Sequence, residues 1–211
     1  LEALKAELGG EVHVVALDVR DRKAVEEAMA ALPAPFDAVD VLINNAGLAL
    51  GLNPAPSADL DDWDTMIDTN IKGLTYMTRA MLPGMVARDR GHIINLGSVA
   101  GTYPYPGGNV YGGTKAFVHQ FSLNLRADLL GANVRVTSIE PGMADTEFST
   151  VRFGGDKERA AKVYEGMTPM SADDIANVIH WVSKTPRHLN INVLELMPVM
   201  QAFNAFAVKR G

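Results

Sequence analysis

The sequence predicts an α/β protein with a Rossmann-like, doubly wound parallel sheet. Apolar segments of strand length recur along the chain, and segments with helical spacing of apolar residues separate them. The strand segments are continuously apolar rather than alternating, which is typical of strands that helices cover on both faces. The length of 211 residues suits one domain, and we expect a single domain over residues 1–211.

Five segments are predicted to be strands. Each is rich in branched apolar residues, and each has a glycine, proline or acidic residue at its end, where turns begin. Ligands of such sheets bind at the carboxyl ends of the strands. The predicted strands are residues 11–19, 39–47, 91–98, 134–142 and 191–198.

Helical segments alternate with these strands. The chain opens on "LEALKAELGG", which we interpret as the end of a helix closed by two glycines. Pro83 and Gly84 are expected to interrupt the end of the third helix. The longest irregular stretch, roughly residues 143–157, is a candidate lid. The other predicted helices are residues 21–32, 59–85, 109–130 and 172–184, the last capped by Ser171.

Composition excludes several classes of function. The formal net charge is −6 and no cluster of basic residues occurs, so we expect no nucleic-acid or membrane partner. The absence of cysteine excludes disulfides and thiol catalysis. No apolar run is long enough for a membrane span, and no signal peptide is visible, so a cytoplasmic protein is expected. The five histidines lack metal-ligand spacing, and no metal site is expected.

Tyr111 and Lys115 are the first candidates for chemistry. A spacing of four residues puts both side chains on one helix face. An ammonium near a phenol lowers the phenol's pKa, so such a tyrosine can exchange protons near neutral pH. Ser98 ends the preceding strand, and the intervening loop could bring it beside Tyr111. Taken alone, this pattern favours a surface pair and a turn serine over a catalytic group.

The context strengthens the catalytic interpretation. "NNAG" (44–47) follows one predicted strand, and its small residues allow a ligand to approach the backbone. Asn70 lies within a predicted helix, where asparagine is disfavoured. "PG" (141–142) ends another strand, with Thr146 just beyond, and a carboxylate, Asp18, ends the first.

These motifs, in this order, resemble the short-chain dehydrogenase/reductase family. The local runs "GGNVYGGTKAFV" and "IEPGMADTEFSTVRF" are most similar to the subgroup of NADP-dependent 3-hydroxy acid dehydrogenases. The resemblance covers essentially the whole chain. Its residues are Asp18, Val19, Asn44, Asn45, Ala46, Gly47, Asn70, Ser98, Tyr111, Lys115, Pro141, Gly142 and Thr146.

The resemblance implies a role for each matching residue. Tyr111 would be the general acid/base, Lys115 would lower its pKa and hold the nicotinamide ribose, and Ser98 would bind the substrate oxygen. Asn70 would hold a helix kink and a water of the proton relay. Tyr105 and Arg152 are candidate substrate contacts, Arg152 for a carboxylate. Cofactor contacts would be Asp18, Val19, Asn45, Ala46, Gly47, Asn70, Tyr111, Lys115, Pro141, Gly142, Met143, Ala144 and Thr146.

The implied function is hydride transfer between NADP, with NAD not excluded, and a small 3-hydroxy acid of the serine, allo-threonine or 3-hydroxypropionate type. Two alternatives stay open: a reductase of the same family for other carbonyl compounds, and a non-catalytic dinucleotide-binding sensor. A homo-tetramer is expected, with the apolar C-terminal segment after residue 193 as a subunit contact.

The family's glycine-rich turn has no counterpart in this sequence. In the family it lies between the first strand and first helix and binds the pyrophosphate. We therefore expect that the chain is a fragment that lacks the N-terminal βαβ unit, about 40 residues. On this expectation, the strand at residues 11–19 lacks its neighbours, and the chain alone binds the cofactor poorly.

Overall fold

The computed structural model describes residues 1–203 and 207–211. Its sheet has four parallel strands in the order β1-β2-β3-β6. A second, two-stranded parallel sheet pairs β4 with β5. The strands are β1 (Val41–Asn44), β2 (Gly91–Leu96), β3 (Val134–Pro141), β4 (Ala144–Asp145), β5 (Met170–Ser171) and β6 (Val193–Leu196).

Helices precede or follow each of the main strands. Side-chain caps begin several of them, including a capping box between Ser171 and Asp174. The helices are α1 (Glu2–Leu8), α2 (Arg22–Ala30), α3 (Leu60–Ile67), α4 (Leu74–Ala87), α5 (Asn109–Asp128), α6 (Glu147–Arg152), α7 (Lys157–Tyr164) and α8 (Ala172–Lys184). The α/β class with a parallel sheet is confirmed.

The core lies on both faces of the sheet. On one face, Ile93 packs with Met85 of α4 and Leu125 of α5. On the other, Ile94 and neighbouring strand residues pack against α8. Adjacent residues of a strand point to opposite faces, so both faces of β2 are buried. This explains the continuous apolar runs from which the strands were predicted.

Residues 11–19 do not form the predicted strand. Within the part of the chain that the structure describes, they make no backbone hydrogen bond to another segment. The segment is only half buried, and the side chain of Val19 packs against Gly73. A strand is defined by its paired neighbour, so an apolar sequence alone does not make one.

The helix predicted over residues 59–85 is not α-helical throughout. It changes at Asp68–Gly73 into a π-helical turn, in which each hydrogen bond spans one residue more, and continues as α4. Pro83 does not interrupt α4, which runs on to Ala87. Met85 is fully buried in the core, and this packing outweighs the loss of one backbone hydrogen bond at the proline.

The stretch of residues 143–157 is more regular than predicted. It contains β4 and α6, and α7 begins at its end. Thr146 caps α6 by accepting a hydrogen bond from the backbone N–H of Phe148 at 3.2 Å. The prediction that this stretch is irregular was therefore wrong.

Two sequence-based expectations concern surfaces. None of the helices in the described ranges is long and apolar enough to cross a membrane. In the C-terminal segment, Gln201 forms an isolated antiparallel bridge with Val208. Part of that predicted subunit contact, residues 204–206, lies outside the described residues.

Gly101 is expected to be indispensable for the packing of the turn after β2. A Cβ at this residue would lie 2.8 Å from the backbone of Lys115 and Ala116 in α5. Because backbone atoms cannot move aside cheaply, Gly101→Ala should lower the free energy of unfolding by about 1–3 kcal/mol. Urea denaturation followed by circular dichroism measures this.

Gly113→Ala is the matched control, because nothing lies within 4 Å of a Cβ at this position within α5. Helix propensity alone should make this variant up to about 1 kcal/mol more stable. Equal effects of the two substitutions would contradict the close approach at Gly101.

Candidate active site

The site lies where the carboxyl ends of β1, β2 and β3 meet the first turns of α5. Parallel pairing puts these strand ends at one edge, since Asn44 is in register with Asn95, and Asn95 with Ser138. Ser98 follows β2 directly and begins a short 3₁₀ turn, Val99–Gly101. Tyr111 lies in the first turn of α5 and is buried.

Ser98 bridges two segments of this edge. Its Oγ donates a hydrogen bond to the carbonyl oxygen of Pro141 at 3.3 Å, and accepts one from the N–H of Ala100 at 3.1 Å. The hydroxyl is therefore held between the end of β3 and the turn that leads toward α5. Its place directly after β2 is the strand end at which it was predicted.

Asn70 lies in the π-helical turn and is 1% exposed. Its Nδ2 donates to the carbonyl oxygen of Leu48 at 2.8 Å and to Thr114 Oγ1 at 3.0 Å, and its Oδ1 accepts from the N–H of Leu48 at 2.9 Å. The amide thus joins the segment after β1 to α5. The irregular turn that carries it is a feature often found at functional sites.

Lys115 is also buried, and its Nζ donates to the carbonyl oxygen of Leu96 at 2.7 Å. Nζ lies 5.8 Å from the centroid of the Tyr111 ring. A Cβ on Gly47 would lie 3.5 Å from this Nζ and 3.3 Å from Asn70 Oδ1. Glycine at residue 47 therefore keeps the exposed backbone after β1 close to both polar groups.

The predicted fall in the pKa of Tyr111 is wrong for this structure. Burial raises the pKa of Tyr111 to about 12, and a hydrogen bond with Ser98 and the charge of Arg152 oppose this rise without reversing it. Lys115 is not among the groups that shift the pKa of Tyr111, and its Nζ donates a hydrogen bond to the carbonyl of Leu96. Tyr111 is therefore a protonated phenol at neutral pH.

Arg152 and Tyr105 are brought together beside Tyr111. Arg152 Nη2 donates to the Tyr105 hydroxyl at 2.6 Å, and Nε donates to the carbonyl oxygen of Gly51 at 3.2 Å. The guanidinium carbon lies 5.4 Å from the Tyr111 ring centroid and 5.5 Å from that of Tyr105. A guanidinium has five N–H donors, so this one retains donors beyond these two bonds.

Apart from Asn70, Tyr111 and Lys115, the predicted cofactor residues fall into three groups. Asn45, Ala46 and Gly47 are exposed directly after β1. At the end of β3, Gly142 donates to the carbonyl oxygen of Leu196. The carbonyl oxygen of Ala144 accepts from Tyr164. Pro141, Met143 and Thr146 complete this second group.

Asp18 and Val19 form the third group, at the end of the unpaired segment. Asp18 is engaged by Arg20, whose side chain and backbone N–H hold the pKa of Asp18 at about 2. Asp18 is exposed, and Val19 packs on Gly73 of the π-helical turn. Val19 is thus anchored on the π-helical turn that carries Asn70.

Several partners of the site were missed by sequence reasoning. Thr114 accepts from Asn70, and Gln201 Oε1 accepts from the N–H of Met143 at 2.8 Å. Tyr164 hydrogen-bonds Ser149 and the carbonyl of Ala144. Thr114 directly precedes Lys115 and could have been considered on that ground. Gln201 and Tyr164 lie far away in sequence and carry no motif.

Together these features define a class of protein. A tyrosine, a serine and a lysine meet at the carboxyl edge of a parallel sheet, next to the exposed backbone at Gly47, and this edge is where oxidoreductases of the Rossmann type bind their dinucleotide. Among the residues that the structure describes, no group of three or more histidine or acidic side chains is placed to hold a metal ion.

Comparison with known proteins identifies the family. A sequence model of the short chain dehydrogenase family matches residues 1–155, and the chain belongs to this family. The NADP-dependent 3-hydroxy acid dehydrogenase YdfG of Salmonella typhi is 62% identical over 212 residues, covering 100% of this chain and 86% of that protein. Serine 3-dehydrogenase of Rhizobium radiobacter is 59% identical over 210 residues, covering 100% and 84%.

Solved structures agree with the sequence relatives. The closed form of a serine dehydrogenase complexed with NADP+ superposes with a TM-score of 0.95 at 57% identity, covering 100% of this chain and 85% of that one. Serine dehydrogenase from Escherichia coli gives a TM-score of 0.83 at 54% identity, covering 95% and 83%. The Rossmann-like fold and the predicted family are confirmed.

Lys115 should make the stability of the protein depend on pH in an unusual direction. Burial lowers its pKa from 10.5 to about 8, so unfolding takes up a proton between these values and stability rises with pH there. The gain amounts to about 3 kcal/mol across the interval. Urea denaturation at about pH 7.5 and about pH 9.5, on either side of the lowered pKa, tests this.

Lys115→Met removes the titrating group and should abolish most of this increase. It should also be more stable than the wild type at the lower pH by about 1–2 kcal/mol, since the loss of the bond to Leu96 offsets part of the gain. A wild-type protein whose stability falls over the same interval, relative to the variant, would contradict the lowered pKa.

Proposed function

We propose that the protein transfers a hydride between NADP and a small 3-hydroxy acid, of the serine, allo-threonine or 3-hydroxypropionate type, with Tyr111 as general acid/base. The observation that carries the proposal is the position of Arg152, a guanidinium 5.4 Å from the Tyr111 ring. It offers a binding group for a carboxylate beside the proton-transfer group. The names of the relatives above support the same substrate class.

The residues around the exposed backbone at Gly47 fit a nicotinamide cofactor. Gly47 lies close to Lys115 Nζ and Asn70 Oδ1, and a Cβ in its place would be tight against Asn70 Oδ1. We assign Lys115 to the ribose hydroxyls of the cofactor, because its Nζ is a buried donor beside the Gly47 backbone. Bound NADP supplies the hydride acceptor or donor. The proposed cofactor contacts are Asp18, Val19, Asn45, Ala46, Gly47, Asn70, Tyr111, Lys115, Pro141, Gly142, Met143, Ala144 and Thr146.

Tyr111 handles the proton of the substrate hydroxyl. In the reductive direction, the neutral phenol donates its proton to the carbonyl oxygen, and in the oxidative direction the phenolate accepts the hydroxyl proton. Because burial raises the pKa of Tyr111 to about 12, the reductive direction starts from the abundant form at neutral pH. Ser98, bonded to the Pro141 carbonyl, orients the substrate oxygen toward Tyr111.

Arg152 and Tyr105 select the substrate in this proposal. The Tyr105 hydroxyl and the Gly51 carbonyl fix the guanidinium from one side, which reduces the freedom lost when a carboxylate binds. A substrate whose carboxylate meets Arg152 presents its hydroxyl-bearing carbon toward Tyr111. Small size is favoured, because Phe148 packs 5.6 Å from the Tyr111 ring, centroid to centroid.

We infer further that the protein is a cytoplasmic homo-tetramer that binds neither nucleic acid nor a membrane. Exposed apolar side chains support a subunit contact: Trp181 is 57% exposed and Phe203 is 72% exposed.

Tyr111→Phe removes the phenolic proton and keeps the ring. We expect kcat for serine oxidation, and for reduction of the matching carbonyl compound, to fall at least about 100-fold. Tyr103→Phe is the matched control, because the Tyr103 hydroxyl bonds Glu195 at 3.2 Å instead of facing the site. Nicotinamide absorbance measures both rates, and unchanged turnover in Tyr111→Phe would remove the catalytic assignment.

Arg152→Met tests the carboxylate contact. KM for a 3-hydroxy acid should rise about 10- to 100-fold, whereas KM for an uncharged alcohol of similar size should stay within about threefold. Because the charge of Arg152 opposes the rise in the Tyr111 pKa, kcat for oxidation of both substrates should fall together. The informative quantity is therefore the ratio of the two KM values.

The control for Arg152 is Arg159→Met. Arg159 lies on α7 with its guanidinium carbon 4.4 Å from the Phe153 ring centroid, and it makes no contact with Tyr111 in the structure. A panel of hydroxy acids, acyl-carrier ketones and neutral alcohols completes the assay. Equal KM changes for charged and uncharged substrates in Arg152→Met would exclude the carboxylate role.

A further inference from the structure

Glu140 is a buried carboxylate that the proposed chemistry does not use. It lies near the end of β3, is 2% exposed, and accepts hydrogen bonds from Ser138 Oγ at 2.8 Å and His119 Nδ1 at 2.7 Å. Within the described ranges, His119 is the one basic side chain at ion-pair distance from it. Burying a carboxylate costs free energy unless it is paired, so the burial of Glu140 calls for an explanation.

One side of Glu140 supports the Ser98 segment. A Cβ on Gly97 would lie 2.8 Å from Glu140 Cγ, so the backbone at residue 97 rests directly on this side chain. The N–H of Gly97 donates to the carbonyl oxygen of Ile139 at 2.7 Å, and Ser98 Oγ donates to that of Pro141. Glu140 and its two neighbours in β3 thus hold Ser98 in place.

The other side of Glu140 holds α5. His119 follows Lys115 by four residues and Tyr111 by eight, so the three side chains lie along one face of the helix. The carboxylate can only accept, so His119 Nδ1 carries the proton of their hydrogen bond in both charge states of the ring. Through this bond, β3 holds the helix that carries the tyrosine and the lysine.

We propose that Glu140 and His119 are positioning residues that set the distance between Ser98 and the Tyr111–Lys115 pair. Ser98 is fixed to β3, Tyr111 and Lys115 are fixed to α5, and the Glu140–His119 bond joins the two elements beside the site. Proton transfer depends steeply on such distances, and a misplacement of about 1 Å costs up to about 100-fold in rate. The inference rests on the acid/base role proposed for Tyr111.

A second carboxylate beside Glu140 makes the histidine partner more important. Glu195 of β6 is in register with Glu140, so both side chains lie on the same face of neighbouring strands. The Tyr103 hydroxyl donates to Glu195 at 3.2 Å and leaves Glu140 to Ser138 and His119. Without His119, Glu140 keeps a single neutral donor next to another acidic side chain.

The test compares two substitutions of His119 in the native protein. His119→Asn keeps an N–H donor near the position of Nδ1, whereas His119→Phe keeps the ring and removes the donor. Because the His119 side chain is 35% exposed, neither substitution opens a buried cavity. The double variant His119→Phe/Glu140→Gln removes the unpaired buried charge while the bond to α5 is still missing.

We expect kcat of His119→Phe to fall roughly 10- to 100-fold, with a larger solvent deuterium isotope effect on kcat. The isotope effect reports on proton transfer, and a loss of folded protein alone does not change it. His119→Asn should stay within about threefold of the wild type. The double variant should remain as slow as His119→Phe, because the missing bond is the cause.

Three outcomes overturn the inference: wild-type kcat and isotope effect in His119→Phe, equal losses in His119→Asn and His119→Phe, or recovery of rate in the double variant. The assay uses whichever hydroxy acid or carbonyl compound the wild-type protein turns over, so an error in the proposed substrate class does not affect it. An error in the acid/base assignment appears separately, as retained activity of Tyr111→Phe.

Discussion

The polar face that α5 buries against the sheet is the constraint on which the site depends. Tyr111, Thr114, Lys115 and Ser122 are all buried on this helix. Buried polar groups need partners, and these partners are on different elements. Lys115 bonds the end of β2, Thr114 bonds the π-helical turn through Asn70, and Ser122 bonds Asn95 within β2. The hydrogen bonds that pair the buried polar groups of α5 therefore align the elements that surround the active site.

A second network of buried polar side chains joins β1 and β2 to the helices α4 and α5. Asn44 Nδ2 donates to Thr78 Oγ1 of α4 at 3.0 Å and to Asn95 Oδ1 at 2.8 Å, and Asn95 Nδ2 donates to Ser122 Oγ at 2.9 Å. The two asparagines are register partners, so a slip of β1 against β2 would break the bond between them and separate the two halves of the network. Such a network is stabilising only when it is complete, and it specifies one register of the strands that carry the site.

Local patterns predicted the parts of this arrangement that are themselves local. The spacing of Tyr111 and Lys115 on a helix, and of Ser98 at a strand end, could be inferred because each depends on a few neighbouring residues. Tertiary packing decided the rest. Residues 11–19 have the composition of a strand but no paired neighbour, and Met85 in the core keeps α4 helical beyond Pro83. The bond between His119 and Glu140 joins residues of two elements, and no sequence motif marks it.

Burial also decides which residues control the proton on Tyr111. An isolated lysine one helical turn away suggests stabilisation of the phenolate, but burial favours the neutral forms of both groups and lowers the pKa of Lys115 to about 8. Lys115 gives its hydrogen bond to the Leu96 carbonyl, whereas Ser98 and Arg152 both act to lower the pKa of Tyr111. In this structure, stabilisation of the phenolate comes from the serine and the arginine. The placement of Ser98, and through it the end of β3, therefore bears directly on the acid/base chemistry.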